Sequence, residues 1–193
     1  GKLTEIVGRS GSGKTTFINM LGGILTPSEG KVILNGEDIY SLDDNRRSEL
    51  RNRSIGFIPQ GQTGLGSFTV MENVLAPAAM YGDASVKKKR AEELLELMGI
   101  SDLKEVYSNE LSGGELRRMS IARALINAPE IIIADEPTGD LDDDTTDMVL
   151  KLLKKCAGEG AAVLMVTHER AALSCADILY RMEKGVIRPY EIS

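Results

Sequence analysis

The 193-residue chain is 42% hydrophobic and 27% charged, which predicts an ordinary globular protein with one sizeable core. Its net charge of −6 gives no broad basic surface, so we expect no nucleic-acid partner. Only two cysteines are present, Cys156 and Cys175, and their spacing favours reduced, buried thiols over a disulfide or a zinc site. No signal peptide is recognisable, and no apolar run approaches the roughly 20 residues that span a bilayer, so we expect any membrane role to require a separate partner.

The apolar run Leu3–Val7 predicts a short buried strand, and GRSGSGKTT follows it at Gly8–Thr16. This stretch fits G-x-x-x-x-G-K-[ST], in which glycines let the backbone N–H groups curl around an anion at the start of a helix. We predict a phosphate-binding loop in which Lys14 reaches the β- and γ-phosphates and Thr15 is a Mg²⁺ ligand. The predicted ATP-binding residues are Gly8, Arg9, Ser10, Gly11, Ser12, Gly13, Lys14, Thr15 and Thr16. The alternative is a glycine-rich turn that carries a lysine by chance.

Four further elements are predicted before residue 60, from periodicity and from turn and capping residues. They are a helix over Lys14–Gly22, a strand over Lys31–Leu34 that enters an Asn35–Gly36 turn, a polar helix capped by Asp43 or Asp44 and reaching Arg51, and a strand over Ile55–Ile58. Pro59 ends this last strand, and Gln60 follows it.

From Gly61 to Ser108 the pattern changes to a glycine-containing loop and two amphipathic helices, over Val70–Tyr81 and Val86–Met98, the second capped by Ser85. The basic cluster Lys87–Arg90 is interpreted as a solvated helix face. We therefore predict that 61–108 is a helical subdomain, and that 1–60 and 109–193 form a RecA-like α/β core.

The rest of the chain returns to apolar runs alternating with helical patterns, which is typical of βαβ units. The predicted elements are a helix over Gly113–Asn127, a strand over Ile131–Ala134, a helix over Asp143–Ala157, a strand over Ala162–Val166, a short helix over Glu169–Cys175, and strands over Ile178–Met182 and Val186–Arg188. The predicted fold class is α/β, with a mostly parallel sheet flanked by helices.

Two acidic residues, Asp135 and Glu136, follow a predicted buried strand. An acid in this position is the expected second Mg²⁺ anchor of a phosphate-loop protein, and we assign that role to Asp135. Glu136 is then positioned to polarise a water for attack on the γ-phosphate. The alternative is a buried strand that simply ends in a polar turn.

The pentapeptide LSGGE opens the predicted helix that begins at Gly113. Ser112 is a good N-cap, and the two glycines after it allow a ligand to approach the backbone closely. This helix start is a second candidate anion site, far along the chain from the first. Its residues are Leu111, Ser112, Gly113, Gly114 and Glu115.

Joined to the phosphate loop, this pentapeptide resembles the signature of the ATP-binding cassette (ABC) ATPases. The motifs of that family occur here in order over almost the whole chain: the phosphate loop, a loop glutamine at Gln60, the signature at Leu111–Glu115, the strand acids Asp135–Glu136, a Leu141–Asp142 loop and a switch histidine at His168. The resemblance implies the P-loop NTPase fold of the ABC type.

The resemblance also implies a mechanism. Family members are head-to-tail dimers, of two identical or two similar chains, that hold two ATP molecules between them. The phosphate loop of one copy faces the Ser112 turn of the other, which contacts a γ-phosphate that ADP lacks. The implied catalytic residues are Glu136, His168, Gln60 and Lys14, and the implied Mg²⁺ ligands are Thr15, Gln60 and Asp135.

Three segments, IGFIPQ, TVMENV at Thr69–Val74 and DEPTGDLD at Asp135–Asp142, resemble one branch of the family. That branch contains the ATPase subunits of lipoprotein-releasing, macrolide- and peptide-exporting and cell-division permeases. Its members are separate chains docked on a permease, which implies a peripheral location at the inner face of the cell membrane. The implied docking groove lies between the Gln60 loop and the helices Val70–Met98, where Leu65, Phe68 and Met71 either face the permease or belong to the core.

The chain departs from the family pattern at Asp140, where the branch has Asn, and at Gly61 and Gln62, where an aromatic is usual. The family also carries roughly 20–30 residues before the first strand, including an aromatic that stacks on adenine. No such segment precedes Leu3, so we expect an N-terminally truncated cassette with weakened adenine recognition.

Two other functions stay open on the sequence alone. A soluble ABC-type ATPase acting on DNA or ribosomes is disfavoured by the net negative charge, and by the lack of a coiled-coil insertion or a second cassette. A nucleotide-dependent dimerisation module with little hydrolysis is the other alternative.

Overall fold

The computed structural model describes residues 1–61, 63–139, 141–168 and 175–190. The strands are β1 (Leu3–Val7), β2 (Ile33–Leu34), β3 (Glu37–Asp38), β4 (Ile55–Ile58), β5 (Ile131–Asp135), β6 (Ala162–Thr167), β7 (Ile178–Glu183) and β8 (Val186–Pro189). The α-helices are α1 (Lys14–Leu21), α2 (Asp44–Ser54), α3 (Val70–Ala79), α4 (Ala84–Leu97), α5 (Gly113–Leu125) and α6 (Asp143–Gly158). Two short 3₁₀ turns, Ser101–Leu103 and Ser108–Glu110, lie between α4 and α5.

The main sheet of the described residues has the order β4-β5-β6-β1-β7-β8. All neighbouring pairs are parallel except β7 and β8, which form an antiparallel hairpin. Strands β2 and β3 pair separately, through the predicted Asn35–Gly36 turn. Because parallel strands end at the same edge of a sheet, the segments that follow β1, β4, β5 and β6 meet there.

Apolar side chains pack on both faces of this sheet, as expected of strands buried between helices. One cluster joins alternate residues of β1, β5 and β6, such as Leu3, Ile132 and Met165, to helices α3 to α6. The smaller cluster joins the opposite residues of the same strands, including Ile6 and Ile133, to α1. The predicted fold class, a mostly parallel sheet flanked by helices, is confirmed.

Several predicted element ends were wrong by one to a few residues. Helix α4 begins at Ala84, with Asp83 at the N-cap and no side-chain cap hydrogen bond, so Ser85 lies inside the helix and does not cap it. Asp43, not Asp44, caps α2 by accepting a hydrogen bond from Arg46 N. The other corrected ends are those of the helices predicted to reach Gly22, Arg51, Tyr81, Met98, Asn127 and Ala157, and of the strands predicted over Lys31–Leu34, Ile131–Ala134, Ala162–Val166, Ile178–Met182 and Val186–Arg188.

Two sequence interpretations need qualification. The cluster Lys87–Arg90 is only partly a solvated face, because Arg90 is half-buried and donates to Leu125 O on α5. The helix predicted over Glu169–Cys175 lies almost entirely outside the described residues, as do Gln62 and Asp140. The subdomain boundaries stay a prediction, although α3 and α4 do pack on α5 on one side of the sheet.

Candidate active site

The phosphate loop joins the end of β1 to the start of α1. Gly11 and Gly13 adopt positive φ angles of 74° and 104°, which side chains other than glycine rarely tolerate. A Cβ at Gly8 would lie 2.5 Å from Met182 O, so the loop also packs closely against β7. Ser12 Oγ is buried without a hydrogen-bond partner, which marks an unfilled polar position inside the loop. The loop therefore fits a bound phosphate group.

Lys14 is almost fully buried, and its ammonium group lies against this loop. Nζ donates to Gly8 O at 2.7 Å and to Arg9 O at 3.3 Å, so the positive charge lies against the main chain of the phosphate loop. Arg9, Ser10, Gly11, Thr15 and Thr16 are exposed, and Gly8 and Gly13 are half-buried. The predicted ATP-binding residues thus follow one another from the end of β1 into α1, with all but Ser12 and Lys14 at least partly exposed.

Asp135, at the end of β5, lies next to α1 although β6 separates their strands. Its carboxylate accepts a hydrogen bond from the Thr15 hydroxyl. Burial raises the pKa of Asp135, while the hydrogen bond from Thr15 and the positive charges of Lys14 and Arg117 act in the opposite direction. These positive groups stabilise a carboxylate that is 2% exposed.

Two of the three predicted protein ligands of Mg²⁺, Thr15 and Asp135, are therefore in contact, and both are oxygen donors of the kind that Mg²⁺ prefers. Within the described residues no group of three or more His, Cys, Asp or Glu side chains could hold a metal by itself. This agrees with a Mg²⁺ that is bound by few protein ligands and by substrate phosphates.

Glu136 contacts two of the other predicted catalytic side chains, those of His168 and Gln60. Its Oε1 lies 2.9 Å from His168 Nδ1, and its Oε2 lies 3.5 Å from Gln60 Nε2. These residues follow β5, β6 and β4, so the parallel sheet brings Glu136 together with Gln60, 76 residues earlier, and with His168, 32 residues later. Glu136 has a φ of 47°. Its N–H donates to Val166 O at 2.8 Å, and this hydrogen bond fixes the backbone of Glu136 against the neighbouring strand β6.

The Ser112 turn forms a reciprocal capping box at the start of α5. Ser112 N donates to Glu115 Oε2 at 2.8 Å, Ser112 Oγ donates to the same oxygen at 2.6 Å, and Glu115 N donates to Ser112 Oγ at 3.4 Å. The hydrogen bond from the Ser112 side chain lowers the pKa of Glu115. A Cβ at Gly114 would meet nothing within 4 Å, so the turn is open to an incoming ligand. Leu111 is half-buried against the larger apolar cluster.

This second helix start makes no contact with the phosphate loop of its own chain. Among the described residues, no hydrogen bond or ion pair joins Ser112 or Glu115 to residues 8–16. The structure thus brings together the phosphate loop, Asp135, Glu136, His168 and Gln60, but it does not bring Leu111–Glu115 to them.

Arg117 is a residue whose part in the site sequence reasoning missed. It lies on α5, is 3% exposed, and donates to main-chain carbonyls on both sides of Glu136 and of Gln60. The available signal was its spacing: Arg117 shares one helix face with Ile121 and Leu125, four and eight residues on, and both are buried.

The comparisons with known proteins give one consistent result. A model of the ABC transporter family matches residues 1–139. The chain belongs to the ABC transporter family. An ABC transporter ATP-binding protein of Thermotoga maritima is 41% identical over 192 residues, which cover 99% of this chain and 82% of that protein. LolD of Shewanella oneidensis, the ATP-binding protein of a lipoprotein-releasing system, is 40% identical over 97% of this chain and 83% of its own length.

A solved structure shares the ABC fold over the whole chain. A dimeric ATP-binding cassette in a post-hydrolysis state, bound to ADP and phosphate, has a TM-score of 0.90 and 32% identity, covering 100% of this chain and 87% of that one. The resemblance predicted from the motifs is therefore confirmed. The chain is therefore an ATP-binding cassette of the ABC transporter family, and the related solved cassette is a dimer that holds ADP and phosphate.

The loop beside Gln60 carries two of the three apolar residues proposed for a docking groove. Leu65 and Phe68 are 46% and 43% exposed. Met71 is buried in the core, so for this residue the core alternative is the correct one. In the part of the chain that the structure describes, no helix is both long and apolar enough to cross a bilayer.

Proposed function

We propose that the protein hydrolyses Mg²⁺-bound ATP at a site made from two copies of the chain, and that this powers a permease of the lipoprotein-releasing or macrolide- and peptide-exporting kind. The observation that carries the proposal is the convergence of Glu136, His168 and Gln60 at the strand ends beside the phosphate loop. A carboxylate oriented by an imidazole and an amide is suited to general-base catalysis.

Each residue of this cluster has a distinct role in the proposed reaction. Glu136 accepts the proton of the attacking water, and His168 holds the carboxylate through Nδ1 and presents its other ring nitrogen to the γ-phosphate. Lys14 and the N–H groups of residues 8–16 hold the β- and γ-phosphates. Thr15, Asp135 and Gln60 would hold Mg²⁺, which supplies neutralisation of the phosphate charge.

The Ser112 turn supplies the missing half of each site. The Ser112 hydroxyl donates to Glu115 within the capping box, the turn is open at Gly114, and among the described residues no hydrogen bond joins Ser112 or Glu115 to the phosphate loop of the same chain. A second copy in head-to-tail orientation would present this turn to the γ-phosphate. ADP would then release the dimer, because it lacks the group that both halves bind.

Permease docking is proposed for the exposed side of the Gln60 loop, around Leu65 and Phe68. These side chains lie close in sequence to a residue of the catalytic cluster, so a permease bound there would act on the position of Gln60. This would place the protein peripherally, at the inner face of the cell membrane.

Phosphate release by the purified protein and by Glu136→Gln tests the catalytic proposal. We expect the variant to lose activity about 100-fold or more, because removal of a positioned general base costs factors of roughly 10²–10⁴. The exposed Glu159→Gln is the matched control and keeps the parent rate. If the parent releases no phosphate but dimerises with ATP, the protein is a nucleotide-dependent dimerisation module, and the hydrolysis proposal is wrong.

A further inference from the structure

The guanidinium group of Arg117 is fully engaged by the main chain of two active-site loops. Nε donates to Pro137 O at 3.1 Å. Nη1 donates to Pro59 O and, at 3.0 Å, to Gly61 O. Nη2 donates to Asp135 O at 3.1 Å and to Glu136 O. A guanidinium has five N–H donors, and each of them is matched here by one carbonyl acceptor.

These five carbonyls belong to the two loops that carry Gln60 and Glu136, whose side chains approach each other in the candidate active site. Pro59 and Gly61 are the immediate neighbours of Gln60, and the other three carbonyls belong to Asp135, Glu136 and Pro137. The loops are 76 residues apart in sequence, measured from Gln60 to Glu136. A single planar, rigid group on α5 thus ties the two loops to each other.

Glu136 in particular depends on bonds of this kind. Its φ of 47° is a conformation that residues other than glycine adopt at a cost, and that persists only where the surroundings hold it. Val166 O holds the N–H of Glu136, and Arg117 Nη2 holds its carbonyl. The backbone of Glu136 is therefore bonded on both sides.

We propose that Arg117 is a positioning residue that sets Gln60 and Glu136 at their working separation. The inference rests on the proposed function, since it concerns the same reaction. Arg117 acts through the two loops and not on the substrate. Because misplacement of a reacting group by about 1 Å can cost roughly 100-fold in rate, a loss of these bonds affects turnover before nucleotide binding.

Two substitutions separate the geometry of Arg117 from its charge. Arg117→Lys keeps a positive charge, but its three donors on one nitrogen cannot serve five carbonyls in two loops. Arg117→Met keeps most of the apolar stem and removes every donor. The matched control is Arg123→Lys on the same helix. Arg123 donates to Thr63 O at 2.8 Å and to Asn73 Oδ1 at 3.2 Å, so it holds the loop of the helical region but does not contact 135–137.

The first measurement is steady-state ATP hydrolysis by the purified protein and these variants. We expect Arg117→Lys to lower kcat about 10- to 100-fold with KM for ATP within about threefold of the parent, and Arg117→Met to lower kcat at least as much. Arg123→Lys is expected to stay within about threefold of the parent in both constants. Hydrogen exchange without nucleotide is the second measurement. The Arg117 variants should exchange faster in peptides covering both 59–61 and 135–139, whereas Arg123→Lys should affect only the peptides around Thr63 and Asn73.

The outcomes distinguish this inference from the proposed function. If Glu136→Gln abolishes hydrolysis but Arg117→Lys matches Arg123→Lys in kcat or in exchange, the positioning role is wrong and the ATPase stands. If Arg117→Lys fails to fold, or if its affinity for ATP falls by the same factor as its kcat, the residue is structural and the inference is wrong. If the parent shows no hydrolysis that depends on Glu136, both proposals fall together.

Discussion

At the scale of single residues, buried charges in this protein fall into two groups. Lys14, Arg117 and Asp135 are buried, but each has hydrogen bonds or opposite charges that offset part of the cost of leaving water, although burial still raises the pKa of Asp135. Glu5 on β1 does not. It is fully buried, and neither of its carboxylate oxygens has a hydrogen-bond partner. Its side chain shares the face of β1 that carries Leu3, toward the larger apolar cluster.

Because Glu5 is buried without a hydrogen-bond partner, its ionisation makes the free energy of unfolding depend on pH. Burial raises the pKa of Glu5 from 4.5 to about 7. Between these two values the folded chain keeps a proton that the unfolded chain has released. The contribution of Glu5 to the free energy of unfolding therefore falls as the pH rises through this window, by a total of roughly 3 kcal/mol, and is constant above it.

Glu5→Gln should remove this dependence, because the amide has a similar shape and does not ionise. We expect the stability of the variant relative to the parent to increase by about 1–3 kcal/mol between pH 5 and pH 8. Urea unfolding of both proteins at each pH measures the difference, and contributions from other carboxylates cancel. Glu159→Gln, at an exposed glutamate, should show no such change. An equal difference between Glu5→Gln and the parent at both pH values would contradict the prediction.

The residues of the candidate active site could be predicted from the sequence where they belong to a recognisable motif. Lys14, Asp135 and Glu136 follow predicted strands, so their meeting at one sheet edge could be inferred. For His168, the only histidine of the chain, the family resemblance was needed, and the contact with Glu136 agrees with it. Arg117 and Glu5 were not recognised. The partners of Arg117 are main-chain carbonyls, which carry no sequence signal, and the burial of Glu5 depends on which helices cover β1.

At the scale of elements, α5 connects the parts of the site. It begins with the Ser112 capping box, carries Arg117 near its first turn, and packs on β4. Capping chemistry alone does not single it out, because α3 begins with an equivalent box of Thr69 and Glu72. What distinguishes α5 is the pair of glycines after its cap, of which Gly114 has open space where a Cβ would lie.

Close approach of α5 to the sheet depends on Gly56 in β4. A Cβ at this position would lie 2.6 Å from Ala124 O and 2.8 Å from Pro129 Cγ. Ala124 O belongs to the backbone of α5, so it can move away from the Cβ only if the helix itself moves. We therefore predict that Gly56→Ala lowers the free energy of unfolding by about 1–3 kcal/mol, the usual cost of overpacking. Denaturant titration measures it.

Gly158→Ala is the matched control for this substitution. Gly158 is the last residue of α6, and a Cβ there would meet nothing within 4 Å. Alanine should leave stability unchanged or raise it by up to about 1 kcal/mol, since it is the better helix former. Equal effects of the two substitutions would show that the α5–β4 contact is not the cause.

Element type was more predictable than element ends. The strands β1 and β4 match their predicted bounds, because apolar runs flanked by glycine or proline leave little freedom. The start of α4 was predicted at Val86, with Ser85 as the capping residue. The helix instead continues back to Ala84, and Asp83 N donates to Ala78 O in the tight connection from α3. That connection is a tertiary feature and not a local one.

At the scale of the whole molecule, the sheet order gathers one half of an active site and leaves the other half apart. The segments after β1, β4, β5 and β6 supply the phosphate loop, Gln60, Glu136 and His168. The Ser112 turn lies at the start of α5 with no bond to them among the described residues. A dimeric cassette is the arrangement found in the related solved structure. A head-to-tail pair would complete two sites with twofold symmetry.

Mixing inactive variants tests whether the halves come from different chains. Lys14→Ala removes the phosphate-binding half and Ser112→Ala the signature half, so each variant alone should be nearly inactive. In a mixed pair, the intact phosphate loop of one chain meets the intact Ser112 turn of the other. Random pairing makes half of the dimers mixed, each with one of two sites intact, so we expect about a quarter of the parent activity in phosphate release.

The control for this experiment pairs two lesions that lie in the same half. Lys14→Ala and Glu136→Gln both damage the half that holds the phosphate loop, so no mixed dimer has an intact site, and their mixture should stay inactive. Recovery in this control would mean that the chains exchange function in some other way. Full activity of Ser112→Ala alone would show that one chain completes its own site. The contrast between the two mixtures therefore assigns Ser112 to one half and Lys14 and Glu136 to the other, because only lesions in opposite halves can complement.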